Sequence, residues 1–96
     1  MRRCYLVFYD IRDSKRLHRV FKTLKGDGEH WQLSVFFCVI KDIDSVRLQG
    51  DLENIMNLKE DQALIVDMGP NEQSAREKVK VIGQGLAQVE NEIIVV

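Results

Sequence analysis

The chain has 96 residues, 45% of them hydrophobic, and a formal net charge of −1, which leaves room for one domain around one core and excludes a second. No apolar run approaches the roughly 20 residues that cross a bilayer, and the start, Met1-Arg2-Arg3 before Cys4 to Tyr9, is too short for a signal peptide, so a cytoplasmic location is expected. The small net charge hides an asymmetry: residues 1–41 carry nine Lys/Arg against four Asp/Glu, residues 42–96 five against eleven. A basic first half suits a polyanionic ligand and an acidic second half suits a solvated surface or a basic partner.

In chain order, residues 4–9 (CYLVFY) are rich in β-branched and aromatic types and stop at Asp10, the pattern of a buried strand ending at a polar edge. Asp13 or Ser14 then caps a helix whose apolar positions Leu17, Val20, Phe21 and Leu24 recur at helical spacing, with Gly26 and Gly28 expected to end it. Its other face carries Lys15, Arg16, Arg19, Lys22 and Lys25, a basic stripe turned to solvent. From His30 to Ile40 the period changes to two, with Trp31, Leu33, Val35, Phe37 and Val39 on one side and Gln32, Ser34, Phe36, Cys38 and Ile40 on the other. That segment is one long strand or two strands joined by a tight turn near Ser34.

A second helix is expected over roughly 44–57, presenting Leu48, Leu52, Ile55 and Met56, with Gly50 costing it about 1 kcal/mol relative to Ala. Residues 63–68 read as a strand closed by Gly69-Pro70, residues 70–77 as a loop or frayed turn, and residues 78–82 as a short strand ended by Gly83. The tail, Ile93-Ile94-Val95-Val96 after Glu92, is an apolar edge that must pair with a sheet, its own or a partner's. Cys4 and Cys38 lie in apolar runs without paired CxxC spacing and are expected to be buried thiols.

The stretch that carries chemistry is Tyr9-Asp10-Ile11, then the basic helix, then Gln32-Leu33-Ser34-Val35-Phe36. A carboxylate at a strand end projects from the sheet, where it can bind Mg²⁺, cap the next helix, or pair with Arg12 or Arg16. No glycine-rich phosphate loop and no nucleophile with a paired base accompanies it.

The pattern resembles the CRISPR-associated protein 2 family. Members begin with an apolar strand ending in Tyr-Asp-Ile, continue through an Arg-rich helix and a Gly, and then show Gln-x-Ser-Val-Phe; this chain matches at Tyr9, Asp10, Ile11, Arg19, Gly28, Gln32, Ser34, Val35 and Phe36. It departs at His30, Trp31 and Leu17, near which members place arginines. The resemblance implies one α+β domain over 1–96: a ferredoxin-like sandwich with a mainly antiparallel four-stranded sheet and two helices on one face. It also implies that residues 92–96 form a strand laid on the partner subunit, and it makes the turn near Ser34 the expected choice.

For function, the resemblance implies a homodimer that acts in spacer acquisition as a nucleic-acid-binding scaffold for the CRISPR integrase, with an intrinsic Mg²⁺-dependent endonuclease, or endoribonuclease, activity. The alternative is a structural module that binds DNA or RNA without cutting it. One carboxylate makes a poor Mg²⁺ site, but a two-fold axis near Asp10 supplies a second copy, and the metal relieves the repulsion between them. On this reading Asp10 is the metal ligand and Ser34 positions a phosphate or water. Arg12, Arg16 and Arg19 bind nucleic acid, and Tyr9 and Phe36 support the site or simply pack in the core.

Overall fold

The structure is a computed structural model and describes residues 1–85. Its elements are β1 (Arg2–Asp10), α1 (Ser14–Asp27), β2 (Gly28–Gln32), β3 (Val35–Lys41), α2 (Asp42–Ile55), β4 (Gln62–Gly69) and α3 (Glu72–Glu77). The strands form one antiparallel sheet in the order β2-β3-β1-β4, so β1 and β3 are central. Two β-α-β units interleaved in this order make the ferredoxin-like α+β fold.

Alternation sorts the central strands onto two faces. Tyr5, Val7 and Tyr9 of β1 and Phe36, Cys38 and Ile40 of β3 turn toward α1 and α2, where they pack with Val20, Leu24, Leu48 and Leu52. Cys4 and Leu6 point the other way and cluster with Trp31, Phe37 and Ala75 of α3. Cys4 and Cys38, both buried and free, thus lie on opposite faces. Burial pushes the Cys38 thiol up to about 12.

Residues 28–41 form two strands, joined at Leu33-Ser34. The expected alternation holds along β3, but a register shift between His30 and Gln32 sets Gln32 opposite Val35, and Leu33 is exposed in the turn. Asp13 caps α1, its carboxylate accepting from the Arg16 N–H at 3.0 Å. Gly26 does not end that helix, which runs through to Asp27. Gly28 is needed because β2 starts there hard against β3: a Cβ would meet Cys38 Sγ and the Phe37 carbonyl at 2.6 Å.

Two expectations are corrected. Residues 72–77 are helical, begun by Asn71, whose side chain accepts from the Ser74 N–H at 2.8 Å; a local cap and the buried Ala75 suffice for so short a helix. Residues 78–82 are not a strand; Val79 instead packs its side chain against the Cys4, Leu6, Trp31, Phe37 and Ala75 cluster. The expected strand over 92–96 lies outside the described residues. Among the described residues no helix is long and apolar enough to cross a membrane.

Candidate functional site

Asp10 is the last residue of β1 and is paired with Gln62 at the start of β4. Its side chain is 66% exposed, and the Arg12 guanidinium stands 3.6 Å from Oδ2. The β2–β3 turn reaches the same end of the sheet, so that Asp10, Gln32, Ser34 and Gln62 share a shallow concavity of about 290 Å³ with Phe8, Tyr9, Val35 and Leu64. Residues 24 positions apart in the chain, Asp10 and Ser34, are thereby brought to one surface.

Tyr9 holds that arrangement from inside. Its backbone N–H donates to the Ser34 carbonyl at 3.1 Å, and its phenol donates to the Leu33 carbonyl at 3.0 Å. The ring is buried, and burial pushes the phenol up to about 12, so it stays a hydrogen-bond donor at neutral pH. Phe36 is fully buried beneath the turn, with its ring centroid 4.8 Å from that of His30 and 5.5 Å from that of Phe21. His30 and Trp31 are buried too, on opposite faces of β2. Neither presents a group to the Asp10 concavity.

The three arginines expected to bind nucleic acid have different surroundings. Arg12 reaches Asp10. Arg16 folds back onto the protein: its Nε lies 2.8 Å from Asp61 Oδ2 and its Nη2 lies 3.2 Å from Glu60. Arg19 is exposed and makes no ion pair among the described residues, and the same holds for Lys15, Lys22 and Lys25. The basic stripe thus consists of those four side chains, while Arg16 is tied into the loop before β4.

Asp61 is the residue that sequence reasoning missed. Its side chain is 0% exposed, and the Arg16 guanidinium together with the amides of Arg12 and Asn57 holds its carboxyl well below the usual range, outweighing burial. In the run Lys59-Glu60-Asp61 it looks like solvated loop charge. Three of its four donor contacts come from residues 45 and 49 positions away, so no local signal marked it.

The oxygen donors at the sheet end suit Mg²⁺, which takes hard oxygen ligands and retains waters. One chain provides only part of such a site: among the described residues no three His, Cys, Asp or Glu side chains stand close enough to hold a metal ion. Asp10 with the neighbouring Gln32, Ser34 and Gln62 thus offers Mg²⁺ a single carboxylate and neutral side chains, a fit in donor type but not in the number of carboxylates.

Beside the concavity the outer face of the sheet is covered only in part by the described residues, with Val79 packed there near Phe8 and Val35. Leu64 is 52% and Val66 42% exposed, next to half-buried Phe8 and Val35. An antiparallel four-stranded sheet in the order β2-β3-β1-β4, with two helices packed on one face and an exposed carboxylate at its end, defines a small α+β protein of ferredoxin-like fold. The sequence model described as CRISPR associated protein Cas2 matches residues 2–76, and the chain belongs to that family. It is 38% identical to the CRISPR-associated endoribonuclease Cas2 of Geobacter sulfurreducens across 100% of both chains. It is 35% identical to CRISPR-associated endoribonuclease Cas2 1 of Rhodospirillum rubrum, over 96% of this chain and 89% of that one. The crystal structure of Streptococcus pyogenes Cas2 superposes with a TM-score of 0.73 at 29% identity, covering 83% of this chain and 99% of the other.

Proposed function

We propose that two copies of this chain pair through the open part of the sheet and act in spacer acquisition as a nucleic-acid-binding scaffold for the CRISPR integrase, with metal-dependent phosphodiester cleavage at the paired Asp10 as an intrinsic activity. The observation that carries this reading is the position of Asp10, exposed at the rim of the aliphatic face formed by Leu64, Val66, Phe8 and Val35. Pairing that buries this face brings the two rims, and two carboxylates, toward each other. Family membership supports the integrase partnership, and the endoribonuclease names of the relatives support the cleavage.

The two Asp10 carboxylates would hold Mg²⁺, which would stabilise charge on the phosphate and activate a water when bound. The chain's own residues do the rest. Asp10 binds and fixes the metal, and Ser34, on the same concavity, orients a phosphate oxygen or the attacking water. Tyr9 keeps the turn bearing Ser34 against β1. Arg19, Lys15, Lys22 and Lys25 hold the backbone of the nucleic acid, and such contacts weaken as salt rises. Arg12, beside Asp10, balances the carboxylate until phosphate arrives.

Asp10→Asn in the purified dimer tests the activity. It should abolish Mg²⁺-dependent cleavage of RNA and DNA while leaving the sedimentation of the dimer and its affinity for nucleic acid unchanged. Equal cleavage by wild type and variant would remove Asp10 from the chemistry. Absence of cleavage by both, with binding intact, would favour the scaffold acting alone, as the single carboxylate per chain also does.

A further inference from the structure

Asp61 is bound more completely than an ion pair with Arg16 requires. Oδ1 accepts from the Arg12 N–H at 2.8 Å and from Arg16 Nη2 at 3.1 Å; Oδ2 accepts from Arg16 Nε at 2.8 Å and from the Asn57 N–H at 2.9 Å. Four donors fill the four acceptor positions of a carboxylate. They come from three places: the β1–α1 connection, the first turn of α1 and the loop after α2. Residues 11–13 lie in neither helix nor strand; Ile11 packs against the core, and the Arg12 amide ties the backbone of that connection to the loop before β4.

The attachment brackets Asp10. On one side its backbone is in register with Gln62; two residues on, the chain is gripped by Asp61, the neighbour of Gln62. We propose that Asp61 is the positioning residue of the Asp10 site, fixing the segment Asp10–Arg12 and with it the direction of the Asp10 carboxylate and of the Arg12 guanidinium. This rests on the reading of Asp10 as the metal-binding carboxylate. Asp61 touches neither metal nor substrate: its oxygens are spent inside the protein. Arg16 serves the same purpose, as the cation that makes a buried carboxylate tolerable there.

The test uses the full chain with Mn²⁺ alone as probe, followed by cleavage assays. Asp61→Ala removes all four acceptor contacts. Should its unpaired Arg16 prevent folding, the double variant Arg16→Met/Asp61→Leu replaces the pair with apolar groups, which buried sites tolerate, and still frees the Arg12 amide. In whichever variant folds, hydrogen exchange at the Arg12 amide should accelerate at least tenfold, the Mn²⁺ dissociation constant should rise at least fivefold, and kcat should fall at least tenfold with KM for nucleic acid little changed. Glu60→Gln, which takes away only the exposed partner of Arg16, should move none of these. A residue that merely stabilises the fold would lower the melting temperature and leave Mn²⁺ binding and kcat of the folded protein intact, and that result overturns the proposal. Asp10→Asn separates the two readings. If it leaves Mn²⁺ binding and cleavage unchanged, the Asp10 reading fails and this one with it; if it abolishes Mn²⁺ binding while the Asp61 variants retain it, only the positioning role fails.

Discussion

The two faces of the sheet are finished to different degrees. Toward α1 and α2 the side chains of β1 and β3 are closed over, and the aromatic set Tyr9, Phe21, His30 and Phe36 packs together near the turn that carries Ser34, Phe21 meeting His30 edge to face and the other pairs tilted. On the other face only part is covered. There Trp31 stacks on Phe37 with centroids 4.6 Å apart, and the Arg76 guanidinium caps Phe37 from 4.7 Å while paired with Glu29 and Glu72. Beyond that cap Leu64 and Val66 remain in water. One face is therefore closed by the chain's own helices and the other is covered only in part by the described residues, and the candidate site sits at the sheet end beside it.

The largest effect that would sharpen this contrast comes from Phe36→Ala. With the ring fully buried against Tyr9, Phe21 and His30, the loss should be about 3–5 kcal/mol in denaturant unfolding; a loss no larger than at an exposed site would mean the helix side is not the stabilising core. Next comes acid. The Asp61 carboxyl is held below its usual range, so its contribution is complete above the unfolded-state carboxylate range near pH 4 and is lost as pH falls below it toward the lower folded-state value. Asp61→Ala should lower the melting temperature at neutral pH by on the order of 10 °C and flatten its fall at low pH. A parallel acid limb in wild type and variant would assign the acid sensitivity elsewhere.

The open face is probed by Leu64→Thr/Val66→Thr, which keeps strand-forming residues but removes the aliphatic surface. The chain's own stability should change by no more than about 0.5 kcal/mol, while the proposed dimer weakens tenfold or more, about 1.4 kcal/mol, by sedimentation equilibrium. Unchanged dimerisation would move the interface off this face. The smallest effect is expected at His30, 2% exposed and with both ring nitrogens unpartnered. Buried nitrogens without a protein partner among the described residues are unfavourable, so His30→Leu should raise stability by about 1 kcal/mol. A loss would show that the imidazole's contacts with Phe21 and Phe36 outweigh its unmet polarity.

What could be read from the sequence follows from the range of the forces involved. β1, the cap at Asp13 and the two-sided alternation of β3 depend on neighbours in the chain, and so did the place of Asp10 at a strand end. The meeting of Asp10 with Ser34 was legible only through resemblance, because it depends on which strands pair. Asp61 was not legible: three of its four donors belong to residues 45 and 49 positions away, and nothing in Lys59-Glu60-Asp61 separates a buried acid from exposed ones. The same blindness made Arg16 look like another member of the basic stripe. The helix at 72–77 was missed because a single buried alanine leaves no periodicity, although Asn71 marked its start.

Cys4 and Cys38 give this division of the molecule a chemical readout. They are adjacent to one another's partners in the β1–β3 register, where Cys4 stands opposite Val39 and Tyr5 opposite Cys38, yet the sheet lies between the two sulfurs as a wall. A thiol-specific reagent can reach Cys4 only when the α3 side opens and Cys38 only when α1 and α2 lift, so their labelling rates time the two openings separately within one unmodified chain.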